Sequence, residues 1–148
     1  MQKISKYFSY KEVIHSDTAD KEGIDNSCSK ELLDNASKFA TECLDKCREE
    51  VNEPMIVDSW YRCEKLNVAV KGSKTSKHKV ALAADIKCKD EFHANKMFNI
   101  ISKAVKEKRI RLDQLILESM KTKNGTVHWI HIGYSLGKLR NQIMIKEC

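Results

Sequence analysis

Proline and glycine are scarce, with one proline and five glycines in 148 residues. That scarcity argues against long linkers, collagen-like repeats and low-complexity arrays. No apolar run approaches the roughly 20 residues that a bilayer-spanning helix needs. The opening MQKISKYFSY has no apolar h-region, so no secretory signal is read there. The chain is expected to be made in a cytoplasm and, if it works outside, to be delivered by something else. A length of 148 residues suits one domain, 1–148, and 41% hydrophobic content allows a modest core.

Paired-cysteine knuckles are missing too. The six cysteines stand at 28, 43, 47, 63, 88 and 148, with no CxxC among them. Without a signal sequence the thiols are expected to stay reduced, and Cys43, Cys47 and Cys88 read as small core hydrophobes. Net charge is +6, densest over Lys71, Lys74, Lys77 and Lys79. Such charge can attract nucleic acid, anionic wall polymers or headgroups, or serve solubility alone. No recognition helix or aromatic–basic motif accompanies it. Neither nucleic acid nor membrane is expected as a partner, and a monomer is expected.

Along the chain, Lys11 to Asn26 reads as polar and turn-rich. Ser29 can cap a helix from Lys30, with Leu32, Leu33, Ala36, Phe39, Ala40, Cys43, Leu44 and Cys47 at helical spacing. Pro54 interrupts before a short strand at Met55 to Val57. A second helix is expected from Tyr61 to Val70, then a polar loop from Gly72 to Lys79. A strand over Ala83–Cys88 precedes an amphipathic helix over Glu91–Lys106, whose apolar face includes Phe92. Leu115–Leu117 and Val127–Ile132 read as strands about the turn Lys123-Asn124-Gly125, and Gln142–Ile145 as a last strand. The sum is α+β: a small, mostly antiparallel sheet covered by helices.

The metal-capable side chains of the second half are His78, Asp85 and His131. Two imidazoles and a carboxylate, with a fourth position open to solvent, match a catalytic zinc site. Such a site lowers the pKa of water at the metal to about 7. Strand alternation sets His131 and Trp129 on one face and His128 on the other. Any one of these residues alone is more often structural than a ligand.

The stretch Ser76-Lys77-His78-Lys79-Val80-Ala81-Leu82-Ala83-Ala84-Asp85-Ile86 resembles the motif S-x-H-x-x-G-x-A-x-D-I/V of the zinc D-Ala-D-Ala carboxypeptidase and L-alanyl-D-glutamate endopeptidase family. That family shares its fold with the hedgehog amino-terminal domain. Ser59-Trp60-Tyr61-Arg62-Cys63-Glu64-Lys65-Leu66-Asn67 is similar to S-G-Y-R-C-P-x-L-N. Asp113 to Glu118 is similar to D-Q-L-I-x-E, and Trp129 to Tyr134 to W-V-H-V-S-Y. Phe8-Ser9-Tyr10 through Gly23-Ile24-Asp25-Asn26 is similar to the opening of the short phage or prophage branch.

The resemblance implies zinc on His78, Asp85 and His131, and hydrolysis of a peptide bond in peptidoglycan stem peptides. It also implies synthesis in a host cytoplasm, with action at the bacterial cell wall or within a virion. A non-catalytic, metal-containing wall-binding or structural module on the same fold is the alternative. Arg62 corresponds to a substrate-side arginine able to polarise a carbonyl or clamp a carboxylate. Ser76 either contacts substrate or caps its loop, and Trp129 either walls the site or packs in the core.

Two departures from the family pattern stand out. Ala81 occupies the motif's glycine, where a left-handed backbone would be strained. His128 stands where many members carry the acidic general base. Glu118, expected across from about His128, is the preferred base, and His128 itself is the second candidate.

Overall fold

The computed structural model describes residues 2–148. It is α+β, with six α-helices and a five-stranded sheet in the order β1-β2-β4-β3-β5. The strands are β1 (Ile56–Ser59), β2 (Ala83–Lys87), β3 (Gln114–Thr122), β4 (Gly125–Gly133) and β5 (Gln142–Glu147). All neighbours are antiparallel except β3 and β5, which run parallel. Helix α6 (Glu91–Lys106) carries the chain from β2 to β3, leaving a slot between them that β4 fills.

The segment expected to be turn-rich folds instead into two short helices, α1 (Tyr10–Ile14) and α2 (Asp17–Glu22). Serines start both. Ser9 and Glu12 satisfy each other's backbone N–H groups in a capping box, and the Ser16 side chain accepts from Ala19 N. The next helix begins as expected at Ser29 but continues further, through α3 (Lys30–Phe39), a π-helical turn (Ala40–Leu44) and α4 (Asp45–Val51). The wide turn leaves Cys43, Leu44 and Cys47 in the core. It also leaves Asp45 buried, where its carboxylate accepts from Ser5 Oγ and from the backbone of Lys6 and Tyr7.

The helix expected from Tyr61 starts only at Glu64, as α5 (Glu64–Ala69). Three successive N–H groups are already committed elsewhere. Tyr61 N donates to Val13 O, Arg62 N to His78 O and Cys63 N to Asn26 Oδ1. These bonds anchor residues 61–63 to three other segments, and the extended Cys63 takes the N-cap, its Sγ accepting from Leu66 N.

One sheet face is apolar. Ala84, Ile86, Leu115, Leu117, Ile130 and Ile132 are buried there within one contiguous core. On α6, Ala94, Met97, Phe98, Ile101, Ala104 and Val105 are buried at helical spacing. Phe92 is not part of that stripe and is 79% exposed. Cys88 is only partly buried, unlike Cys43 and Cys47.

The other face carries the polar side chains. It is aligned by a β-bulge in β1, where Val57 pairs with Ile86 and Ser59 with Asp85, leaving Asp58 as the extra residue. Trp60 follows, fully buried between Phe8 and Phe39 in edge-to-face contacts at 5.7 and 5.6 Å. Its Nε1 donates to Ala81 O at 2.9 Å.

Ala81 closes the 3-10 turn Lys77–Val80 at φ 63°, the left-handed conformation that a glycine would adopt without strain. The strain costs about 1–2 kcal/mol. Replacing Ala81 with glycine relieves it but removes a buried methyl worth about 0.8 kcal/mol and loosens the unfolded chain by about 0.4–1 kcal/mol. Ala81→Gly is therefore expected to change stability by less than about 1 kcal/mol in urea denaturation. Ala81→Val, β-branched and buried, should cost more than about 2 kcal/mol.

Candidate metal centre

Asp85 on β2 and His131 on β4 are direct cross-strand partners, so the sheet register sets their separation. His131 Nδ1 donates to Asp85 Oδ1 at 2.9 Å. His78 comes from the 3-10 turn that feeds β2, and its Nε2 lies 3.4 Å from Asp85 Oδ2. One ligand atom from each of the three lies within 4.8 Å of the others.

His78 is 4% exposed, and its Nδ1 donates to Trp60 O at 2.7 Å. With Nδ1 bonded there, Nε2 is the ring nitrogen turned to the carboxylate, and it is the one that would meet a metal. The edge of a tetrahedron built on zinc bonds of about 2.0–2.1 Å is roughly 3.3 Å. The 3.4 Å between His78 Nε2 and Asp85 Oδ2 fits such an edge, and the donor set of two nitrogens and one oxygen suits zinc.

Burial alone would raise the Asp85 pKa. Hydrogen bonds from His131 and His78, and the charges those rings can carry, outweigh it and hold the carboxyl well below the usual range. Arg62 adds a further donor, with Nη2 3.4 Å from Asp85 Oδ2. Burial lowers the pKa of that guanidinium, while Asp85 and Glu118 act in the opposite direction. Ser59 Oγ and Asn67 Oδ1 hold the same fork, accepting from Nε at 3.1 Å and Nη1 at 3.4 Å. Both lie inside the segment that carries the sequence motif, but nothing in their type alone marked them as supports.

Glu118 is opposite Trp129, not His128, one step from the expected register. That step matters, because it puts Glu118 on the ligand face as the diagonal neighbour of His131. Its Oε2 accepts from Trp129 Nε1 at 3.1 Å, and its Oε1 from Cys148 Sγ at 3.5 Å. Burial pushes the Cys148 thiol pKa up, with Glu118 adding to the shift, so it remains a donor.

His128 borders the same groove as Arg62, Asp85 and Trp129 but projects from the opposite face of β4 to His131. Alternation turns it to the α6 side, where Nε2 lies 3.6 Å from Glu91. Ser76 caps the 3-10 turn, its Oγ accepting from His78 N at 3.2 Å. Trp129 is half-buried and borders a groove of about 540 Å³ beside Arg62 and Asp85. Ser16, Asp17 and Thr18 of the amino-terminal segment form part of the same border, a contribution with no signal in the sequence.

A second group of metal-capable side chains, His15, Asp17 and Asp20, is exposed, with His15 Nε2 3.3 Å from Asp17 Oδ1. No helix among the described residues is long and apolar enough to cross a membrane.

A family model described as Peptidase M15 matches residues 6–132. The chain belongs to that peptidase family, and the motif segments around residues 59–67, 76–86 and 113–118 lie within the matched span. A comparison with curated proteins gives no match.

Gly72 tests how tightly Arg62 is held. A Cβ at residue 72 would fall 2.1 Å from Asn67 Oδ1 and 3.0 Å from Arg62 Nη1. Asn67 is buried, and its Nδ2 donates to Ser73 O, so it has no room to yield. Gly72→Ala is expected to cost about 1–3 kcal/mol in urea denaturation. A crystal structure of the variant should show Arg62 displaced from Asp85.

Proposed function

We propose that this chain is a zinc-dependent peptidase acting on the stem peptides of bacterial peptidoglycan, of the D-Ala-D-Ala carboxypeptidase or L-Ala-D-Glu endopeptidase type. The observation that carries this proposal is the convergence of His78, Asp85 and His131 within 4.8 Å, in a chain of the M15 peptidase family. The resemblance of its opening to the short branch supports a phage or prophage origin and action at the host wall.

His78 Nε2, Asp85 and His131 Nδ1 would hold the ion, which would replace the protons these rings share with the carboxylate. Zinc bound there supplies Lewis acidity to a scissile carbonyl and makes water acidic enough to react at neutral pH. Glu118 takes the proton from the attacking water and returns it to the leaving amine. Its position on the ligand face, within range of the Arg62 charge, supports that role. Arg62 stabilises negative charge developing on the carbonyl oxygen, or clamps a terminal carboxylate of the substrate.

Trp129 walls the groove and fixes Glu118 through its indole N–H. Ser76 acts through His78 as a positioning residue. His128, paired with Glu91, takes no part in the proton transfer.

The purified protein is expected to bind one zinc per chain and to release new amino termini from purified walls. Glu118→Gln should keep its zinc and lose about 10²–10⁴-fold in turnover. His131→Ala should lose the zinc. A folded, zinc-loaded protein that leaves both walls and soluble muropeptides intact would end the enzymatic proposal in favour of a binding module.

A further inference from the structure

A second concavity lies at the opposite end of β4 from the groove. It encloses about 420 Å³ between the α3–α4 helix, the turn after α6 and the loop after β4. Lys38, Lys46, Lys108, Arg109 and Arg111 line it, against the single carboxylate of Glu42.

Part of that charge is compensated. Arg109 is held by Glu50 at 3.0 and 3.1 Å and by Glu107, and Lys38 reaches Glu42 at 3.9 Å. Glu42 also accepts from the Tyr134 hydroxyl at 2.8 Å. Lys46, Lys108 and Arg111 have no carboxylate within 4.0 Å among the described residues. Three uncompensated cations from two separate segments thus surround one small hollow. Like charges so gathered repel one another and focus a field that a mobile anion relieves.

We infer that this cleft binds a phosphodiester polyanion of the bacterial wall and so holds the enzyme on the surface it cuts. The cleft is concave and small, suited to a thin flexible chain and not to a rigid duplex. Single-stranded nucleic acid is gripped by aromatic faces on which bases stack. The aromatic residue of this lining, Tyr134, is 4% exposed, stacked on Phe39 and bonded through its hydroxyl, so it offers no such face. From Trp129 at the groove to Tyr134 at the cleft is five residues of extended chain, about 17 Å. A polymer in the cleft therefore leaves the groove open. The wall as the source of the anion rests on the peptidase proposal, whereas the anion site rests on the charges alone.

The test measures binding of the zinc-loaded protein to soluble poly(glycerol phosphate) and to duplex DNA, at equal phosphate concentration, across a salt series. The protein should prefer the poly(glycerol phosphate), with the logarithm of its binding constant falling linearly in log salt. The combined variant Lys46→Gln, Lys108→Gln, Arg111→Gln should bind it at least tenfold more weakly. Its salt slope should drop by about 2, at roughly 0.7 per lost contact. Turnover of soluble muropeptides by that variant should be unchanged, and turnover of intact walls carrying the polymer reduced. Unchanged polymer affinity in the variant, or tighter binding of DNA than of polymer, would overturn the inference. A protein that binds the polymer through this cleft but hydrolyses nothing upholds the cleft and defeats the peptidase proposal. One that hydrolyses muropeptides and ignores the polymer does the reverse.

Discussion

The pairing of Asp85 with His131 across β2 and β4 is the constraint on which the rest of the site depends. Side chains in a sheet alternate with a period of two, so a one-residue slip of either strand would turn its own group into the apolar core and part the pair. That slip is opposed by Ile130, Ile132, Ala84 and Ile86, which interleave with the ligands and are buried on the other face. The hydrophobic pattern that folds the sheet is thus the same pattern that aims the ligands. His78 is independent of the ladder and is fixed instead by the backbone of Trp60. Trp60 is in turn pinned among the aromatic rings of the core, with its indole on Ala81.

Sequestering a carboxylate carries a cost that only close partners offset. Asp85 has three: His131, His78 and Arg62. Arg62 is positioned by Ser59 and Asn67, and Asn67 packs so closely on Gly72 that no side chain fits there. Support therefore runs outward in a chain of contacts, each member restricting the next. Such support limits the reorganisation that binding a metal would require.

Much of the site was legible in the sequence because its residues sit in contiguous motif segments. His78, Asp85, Arg62 and Trp129 fall together in space much as those segments implied, and α6, β2 and β4 lie near their expected bounds, whereas β3 runs five residues past the expected Leu117. The errors have physical causes. Helix α5 starts late because contacts from Val13, His78 and Asn26 outweigh local propensity at residues 61–63. Glu118 was one register step off because the hairpin turn has two residues, Lys123 and Asn124, which sets Thr122 against Gly125. Ser16 and Ser9 cap helices too short for periodicity to reveal. The basic cleft was invisible because its charges come from separate segments and only the fold gathers them.

The bulge at Asp58 acts as a reading-frame shift in the inside–outside alternation of β1. With it, Ser59 stands beside Asp85. Without it, Asp58 would take that place and bring a second carboxylate against the first. Related chains that differ in length in this stretch should then differ by paired changes, a deletion before residue 59 matched by an insertion before residue 62. An unpaired change would move the guanidinium out of phase with its carboxylate. Length variation in this short edge strand is thereby tied to the geometry of the neighbouring strand, although no residue of the strand itself is among the metal-capable three.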